Sequence, residues 1–150
     1  FEHGCHLNDP IIRLMGRPSK ITSTLQHTGA FPDTLADNCV AVYEFAHAVG
    51  ILSNTPLQPN AGAHRFFEVI GTGGTARVEP LEQPVLHLDL AKAAGPYSAG
   101  RQDITFPPYA RYVDEFDALA KSIRNGTPLP VTAAEELVIH EALLRACRMF

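Results

Sequence analysis

The first nine residues contain the densest set of side chains that could do chemistry. Glu2 and His6 are four positions apart, and His3, Cys5 and Asp9 lie beside them. Four residues is the spacing at which two side chains meet on one face of a helix or in a turn. A carboxylate beside an imidazole favours the protonated ring and fixes its tautomer, which suits general acid/base catalysis near neutral pH. Glu2 and His6 are therefore candidate catalytic residues.

Two other interpretations of this segment stay open. Glu2 and His6 could serve only to cap and tether the first helix, because local histidine pairs are often structural. His3, Cys5, His6 and Asp9 are also all potential metal ligands. Their spacing matches no common metal motif, so we predict no metal site.

Three further segments invite a functional interpretation. His64 and Arg65 follow a loop rich in proline and glycine and could donate hydrogen bonds to substrate hydroxyls, although a surface or strand-pairing role is the default. The glycine-rich run 71–75 is followed by a strand-like segment rather than a helix, which predicts a hairpin turn and not a dinucleotide loop. We therefore predict no cofactor-binding residue in this chain. His140 lies among apolar residues at helical spacing, which predicts a histidine in the core.

Composition excludes several classes of protein. The chain has 150 residues, a formal charge of −4 and 45% apolar residues, enough for one domain with a single core. No apolar run reaches the roughly 20 residues of a membrane helix. Twelve basic against 16 acidic side chains, with no basic block, argue against an electrostatic nucleic-acid binder. Three separated cysteines without a C-x-x-C pair indicate a reduced compartment rather than a disulfide framework.

Local patterns predict the elements that must position these side chains. Residues 10–15 read as a short helix with Pro10 in its first turn and Asn8 or Asp9 as its N-cap. Two helices are expected in the last third, one around 112–125 and one from a capping box at Thr132 to Met149. Five to seven strands lie between, at 21–27, 38–45, 49–54, 65–70, 75–78, 85–88 and 102–106. This order predicts an α+β fold, a mostly antiparallel open β-sheet with helices packed on one face.

Four segments resemble those of the Gfo/Idh/MocA oxidoreductases, the family of glucose–fructose oxidoreductase and inositol dehydrogenase, and they occur in the order found in that family. Residues 1–18, FEHGCHLNDPIIRLMGRP, are similar to its D-x-G-x-H-x-x-D…L-G-x-P segment, and residues 67–75, FEVIGTGGT, to its F-E-V-x-G-T-x-G-T hairpin. Residues 112–120 and 123–130, YVDEFDALA and IRNGTPLP, resemble its late helix and the following turn. Together the segments span nearly the whole chain.

The resemblance implies that residues 1–150 are a single C-terminal domain for substrate binding and oligomerisation. An N-terminal Rossmann domain that binds NAD or NADP would precede it in a longer polypeptide, together with the family's catalytic lysine. The family's histidine, which donates or accepts the proton of a sugar or polyol, corresponds to His6. Glu2 stands where the family has the aspartate that orients this histidine. Asp9, His64 and Arg65 are the substrate-binding candidates.

The expected protein is thus an NAD(P)-dependent oxidoreductase that acts on a sugar, cyclitol or related hydroxyl compound. We expect the chain alone to be inactive. The expected partners are the small-molecule substrate and further copies of the chain, as a homodimer or homotetramer through the half-polar sheet face, with neither nucleic acid nor membrane. The expected location is cytoplasmic. The alternative is a non-catalytic dimerisation or scaffold module that uses the same open face.

Overall fold

The computed structural model describes residues 2–150, with side chains from Gly4 onward. Over these residues the chain forms three α-helices: α1 (Glu2–Met15), α2 (Val113–Asn125) and α3 (Ala133–Ala146). Seven strands lie between α1 and α2: β1 (Lys20–Gln26), β2 (Asn38–Glu44), β3 (Val49–Asn54), β4 (Phe67–Gly71), β5 (Gly74–Val78), β6 (Val85–Leu90) and β7 (Gly100–Thr105). A 3₁₀ turn covers Ala61–His64. None of the helices described is long and apolar enough to cross a membrane.

The strands form two antiparallel sheets, one in the order β1-β2-β3 and one in the order β4-β5-β6-β7. The predicted α+β class with antiparallel strands is therefore confirmed, with the strands divided between two sheets. The chain forms two compact units. The first comprises the residues up to Leu57 together with Asp114–Phe150, and the second comprises Gln58–Val113.

In the first unit, alternation along the strands separates a buried face from an exposed one. Ala41 and Tyr43 of β2 and Leu52 of β3 are buried on the side where α1 and α3 pack. Val49 and Ile51 of β3 point the other way and are exposed. Each large apolar side chain buried in this layer contributes about 1.5–3 kcal/mol to folding. This sheet is thus covered by helices on one face and open on the other, as predicted.

Helix α1 is longer than the sequence predicts. The expectation of a helix over 10–15, capped by Asn8 or Asp9, is wrong, because α1 begins at Glu2 and contains Pro10 in its interior. An internal proline removes one backbone hydrogen bond and costs about 3 kcal/mol. Packing offsets this cost, since Gly4, Asn8 and Ile11 are buried along the helix and α1 packs against α3.

Helix α3 begins at the predicted capping box. The Thr132 hydroxyl accepts from the Glu135 amide at 3.2 Å, and the Glu135 carboxylate accepts from the Thr132 amide at 2.7 Å. The buried stripe of the helix is Ile139, Ala142, Leu143 and Ala146. His140 lies off this stripe and is exposed, so its predicted place in the core is wrong. The apolar face predicted for α3 is thus shifted by one residue from the face that is buried.

The glycine-rich run 71–75 forms the predicted hairpin. β4 and β5 pair antiparallel, with Gly71 opposite Gly74, and Thr72 and Gly73 make the turn between them. A strand rather than a helix follows the glycines. The run therefore lacks the helix N-terminus on which a dinucleotide phosphate would rest.

Candidate active site on the first helix

Both predicted catalytic residues, Glu2 and His6, lie on helix α1. Glu2, His6 and Asp9 follow one another at spacings of four and three residues, so their Cα positions share one side of the helix. The His6 side chain is exposed. The Glu2 side chain, and with it the predicted contact to His6, lies outside the described residues. The helix thus places His6 at a surface where it could meet a substrate.

Asp9 belongs to an ion-pair chain that joins α1 to α3. Arg13 Nε donates to both Asp9 carboxylate oxygens, at 2.9 and 2.8 Å, and Arg13 Nη2 donates to Glu136 Oε1 at 3.0 Å. The hydrogen bond to Asp9 raises the pKa of Arg13, although burial opposes it. Both Asp9 carboxylate oxygens therefore face Arg13 at a partly exposed position, three residues after His6. Its predicted role in substrate binding stays a prediction.

Asn8 and Tyr43 form a buried hydrogen-bonded pair that the sequence patterns do not predict. Asn8 and Tyr43 are both completely buried. The Tyr43 hydroxyl donates to Asn8 Oδ1 at 2.9 Å, and Asn8 Nδ2 donates to the Ile139 carbonyl at 3.0 Å. Burial raises the pKa of Tyr43 to about 12. Only the polar type of Asn8 within an apolar helical pattern could have signalled this contact.

A groove also lies beside the ion-pair chain in this unit. Its volume is about 370 Å³. It is lined by Ile12, Arg13, Gly16, Arg17, Glu135, Val138 and Ile139. His6 is not among the lining residues. The groove therefore follows the second half of α1 and the start of α3 rather than the His6 surface.

The other two predicted substrate-binding residues belong to the second compact unit. His64 ends the 3₁₀ turn, and Arg65 follows it in extended conformation. Both are exposed, and Arg65 Nη1 lies 4.0 Å from Glu82 Oε1. This pair is long, which leaves guanidinium N–H groups available as donors. The predicted site residues are thus distributed over the two units.

The described residues show neither a metal-ligand cluster nor a disulfide. Among the described residues, no three histidine, cysteine or acidic side chains are grouped as ligands for a metal ion. No disulfide joins Cys5, Cys39 and Cys147 within that range, and each is partly buried.

The polar face of the four-stranded sheet carries a row of charges across all its strands. Glu68, Arg77, His87 and Asp103 are successive cross-strand partners on β4, β5, β6 and β7. Arg77 donates to Glu68 at 3.3 Å and to Glu79 at 2.7 Å. The outer pairs, Glu68 with Arg77 and His87 with Asp103, oppose unlike charges, which stabilises neighbouring strands, whereas Arg77 and a protonated His87 oppose like charges across the middle of the row. This row could not be predicted from local sequence patterns, because its members come from four strands.

Both ring nitrogens of His87 face groups that only accept hydrogen bonds. Nδ1 lies 2.8 Å from Asp103 Oδ1, and Nε2 lies 3.2 Å from the Glu79 carbonyl oxygen. Both bonds form together only when the ring carries two protons. The bond to Asp103, followed by that to the Glu79 carbonyl, raises the pKa of His87 above its ordinary 6.5. The structure therefore favours the imidazolium form.

We expect the four-stranded sheet to lose stability as the pH rises through the titration of His87. Because the folded pKa is raised, the contribution is complete below the ordinary pKa and disappears above the folded one. The effect should be small, since the ring is partly exposed and solvent screens the ion pair. Urea unfolding at pH values below and above the pKa of His87 measures the change in the free energy of unfolding. His87→Gln should flatten this dependence and the exposed His140→Gln should not; an unchanged slope in His87→Gln would contradict the assignment.

Comparison with known proteins gives a likeness of fold. No family model matches the chain, and no curated protein matches it in sequence. The structure of YvaA from Bacillus subtilis, assigned as an oxidoreductase, superposes with a TM-score of 0.73 at 18% identity, covering 99% of this chain and 48% of that one. The chain thus spans about half the length of the proteins it resembles.

Two sugar-nucleotide enzymes share the same fold. UDP-N-acetylglucosamine 3-dehydrogenase GnnA from Acidithiobacillus ferrooxidans has a TM-score of 0.69 at 18% identity, covering 95% of this chain and 44% of that one. The WlbA dehydrogenase from Bordetella pertussis, solved with NADH and UDP-GlcNAcA, has a TM-score of 0.67 at 18% identity, covering 97% and 41%. The predicted likeness to oxidoreductases is therefore confirmed at the level of the fold.

Proposed function

We propose that the chain is the C-terminal, substrate-binding and acid/base domain of an NAD(P)-dependent oxidoreductase of the Gfo/Idh/MocA type. The observation that carries the proposal is the fold match to dehydrogenases over 95% and 97% of the chain, combined with an exposed His6 on the first helix. The substrate would be a sugar, a cyclitol or a related hydroxyl compound. Sugar nucleotides are the first compounds to test, because both named dehydrogenases are linked to them by name or by bound ligand.

The chain's part in the reaction would be proton transfer. A neutral His6 imidazole accepts the hydroxyl proton as the hydroxyl-bearing carbon is oxidised to a carbonyl, and it returns the proton in the reverse direction. Glu2, one helical turn earlier, would orient the ring. Asp9, held by Arg13, would accept a hydrogen bond from a neighbouring substrate hydroxyl.

The cofactor would be held elsewhere in the polypeptide. Within the described residues, the glycine-rich run 71–75 is a closed hairpin, and Gly74 lies directly against the β6 backbone. This geometry does not fit the phosphates of a dinucleotide. NAD or NADP would supply the hydride chemistry from a preceding domain, and the expected cytoplasmic location is in keeping with such an enzyme.

The proposed function is tested by comparing the longer polypeptide with residues 1–150 alone. Both are incubated with NAD or NADP and a panel of UDP-sugars, free sugars and cyclitols, and cofactor reduction is followed by absorbance. We expect turnover from the longer polypeptide, and neither turnover nor tight cofactor binding from the 150 residues. Cofactor-dependent turnover by the short chain would refute the division of labour. No turnover by the longer polypeptide on the whole panel would argue against the substrate class.

A second candidate function is self-association through the open face of the β1-β2-β3 sheet. Val49 and Ile51 are 64% and 69% exposed there, and Val40 lies on the same face. β-branched side chains side by side on an uncovered sheet are typical of a surface that pairs with another copy. A homodimer or homotetramer is therefore proposed, either beside the catalytic function or in place of it.

Ile51→Glu is expected to weaken this association by about 30-fold, the equivalent of the ~2 kcal/mol lost at an interface hot spot. The carboxylate would be desolvated between two sheets. Leu137→Glu is the matched control, because Leu137 is 70% exposed but lies on α3. Light scattering over a concentration series measures the effect. An equal response of the two variants would exclude this sheet face as the interface.

A further inference from the structure

We propose that Asn8 and Tyr43 are positioning residues that set the orientation of His6. The inference rests on the proposed function of His6. In the buried pair, the Tyr43 hydroxyl donates to the Asn8 side chain, and the Asn8 side chain donates to the Ile139 carbonyl. These two bonds join α1, β2 and α3 at one point.

The direction of the hydrogen bonds is fixed by chemistry. The Ile139 carbonyl only accepts, so the amide nitrogen of Asn8 must face it and the amide oxygen must face Tyr43. The Tyr43 hydroxyl must then donate its proton. All three groups lie in the core, where a polar group without its hydrogen bond is destabilising. The amide of Asn8 is therefore held in a single orientation.

The place of Asn8 on the helix transmits this orientation to His6. Residues two apart are separated by roughly 200° around a helix axis, since a turn contains 3.6 residues. With Asn8 held inward, His6 must point outward, and it is exposed. Rotation of α1 about its axis would break the two buried hydrogen bonds. The pair thus fixes the face on which the imidazole stands.

Pro10 makes this tether more important. It has no N–H group, so the His6 carbonyl lacks its usual helical donor four residues later. The backbone ladder is therefore interrupted between the turn that carries His6 and the second half of α1. The first half is held from the side instead. Gly4 is buried beside Leu143, where a Cβ at Gly4 would lie 3.5 Å from Leu143 Cδ1, and Asn8 bonds Ile139.

Tyr43→Phe in the longer polypeptide tests the inference. It removes one hydroxyl and leaves the Asn8 oxygen without its donor. We expect kcat to fall about 10- to 100-fold with KM little changed, because a misplacement of about 1 Å can cost 10²-fold. Amide hydrogen exchange should accelerate at residues 4–9 and stay unchanged at 49–54. Tyr112→Phe, at an exposed tyrosine, is the control and should change neither quantity.

A double variant separates positioning from folding. Asn8→Leu with Tyr43→Phe removes both partners and keeps the branched shape of the Asn8 side chain. The Ile139 carbonyl loses its Asn8 donor, but it lies inside α3 and keeps its helical N–H donor, so stability should return toward that of the parent. If kcat stays low while stability recovers, the hydrogen bonds position His6. If kcat recovers together with stability, the pair is only structural and the inference fails. The same double variant decides the question if Tyr43→Phe alone does not fold.

Failure of the proposed function gives a different result. In that case His6→Ala retains full turnover, whatever Tyr43→Phe does. If His6→Ala loses turnover but Tyr43→Phe keeps both kcat and amide protection, only the positioning role is overturned. If Tyr43→Phe raises KM and leaves kcat unchanged, the pair acts on substrate binding and the inference is again wrong.

Discussion

Replacing His6 by alanine in the longer polypeptide is expected to lower turnover by ~10²–10⁴-fold, the loss typical of a missing general acid/base. His6 is exposed, so its removal leaves no cavity and should not affect folding. Steady-state kinetics at saturating cofactor would measure the change, and light scattering would show that the assembly is unchanged. His6→Ala thus distinguishes a loss of catalysis from a loss of folding or assembly.

Two matched variants complete the test. His140→Ala removes an exposed histidine from α3 and should leave turnover unchanged. Glu2→Gln keeps the length of the side chain and removes its charge, so it should lower turnover less than His6→Ala if Glu2 only orients the ring. Unchanged turnover in His6→Ala, with association still lost in Ile51→Glu, would favour the scaffold function over the catalytic one.

Much of the fold could be predicted because its signals are local. Alternation along β1, the short connection between β2 and β3, the capping box at Thr132 and the glycine turn before β5 all depend on residues that are close together in the sequence. The first helix could not be predicted in the same way. Pro10 is typical of a first helical turn. The helix continues through it because of packing that is distant in sequence, including the burial of Gly4 and Ile11 and the contacts of Asn8 with Tyr43 and Ile139.

The same distinction between local and distant contacts holds for the candidate site. The four-residue spacing of Glu2 and His6 predicts that they meet in a turn or helix, and α1 carries both positions. Asp9 is instead predicted as a cap before the helix, whereas it lies inside α1. The partner of Arg13, by contrast, is Glu136, 123 residues later in the chain. A contact across that separation depends on how α1 and α3 pack. Contacts within one helix can thus be predicted from the sequence, whereas the partners that other elements supply cannot.

Gly74→Ala is expected to cost roughly 2–6 kcal/mol, the sum of backbone strain and of an overpacked contact. The φ of Gly74 is +149°, and a Cβ there would lie 2.3 Å from the Asp89 carbonyl oxygen and 3.0 Å from Leu90 Cα. Both atoms belong to the backbone of β6, so a change of rotamer cannot relieve the clash. The four-stranded sheet must either separate between β5 and β6 or unfold.

Gly73→Ala provides the control from the same turn. A Cβ at Gly73 meets no atom within 4 Å, so the free energy of unfolding should change by no more than about 0.5 kcal/mol. Urea unfolding would compare the two variants, and amide exchange would locate the loss in β4–β7. A folded domain of ordinary stability, about 5–15 kcal/mol, could lose most of it through Gly74→Ala. Equal stability of the two variants would mean that β5 and β6 do not approach as closely as described, and the hairpin would then no longer argue against a phosphate-binding role for these glycines.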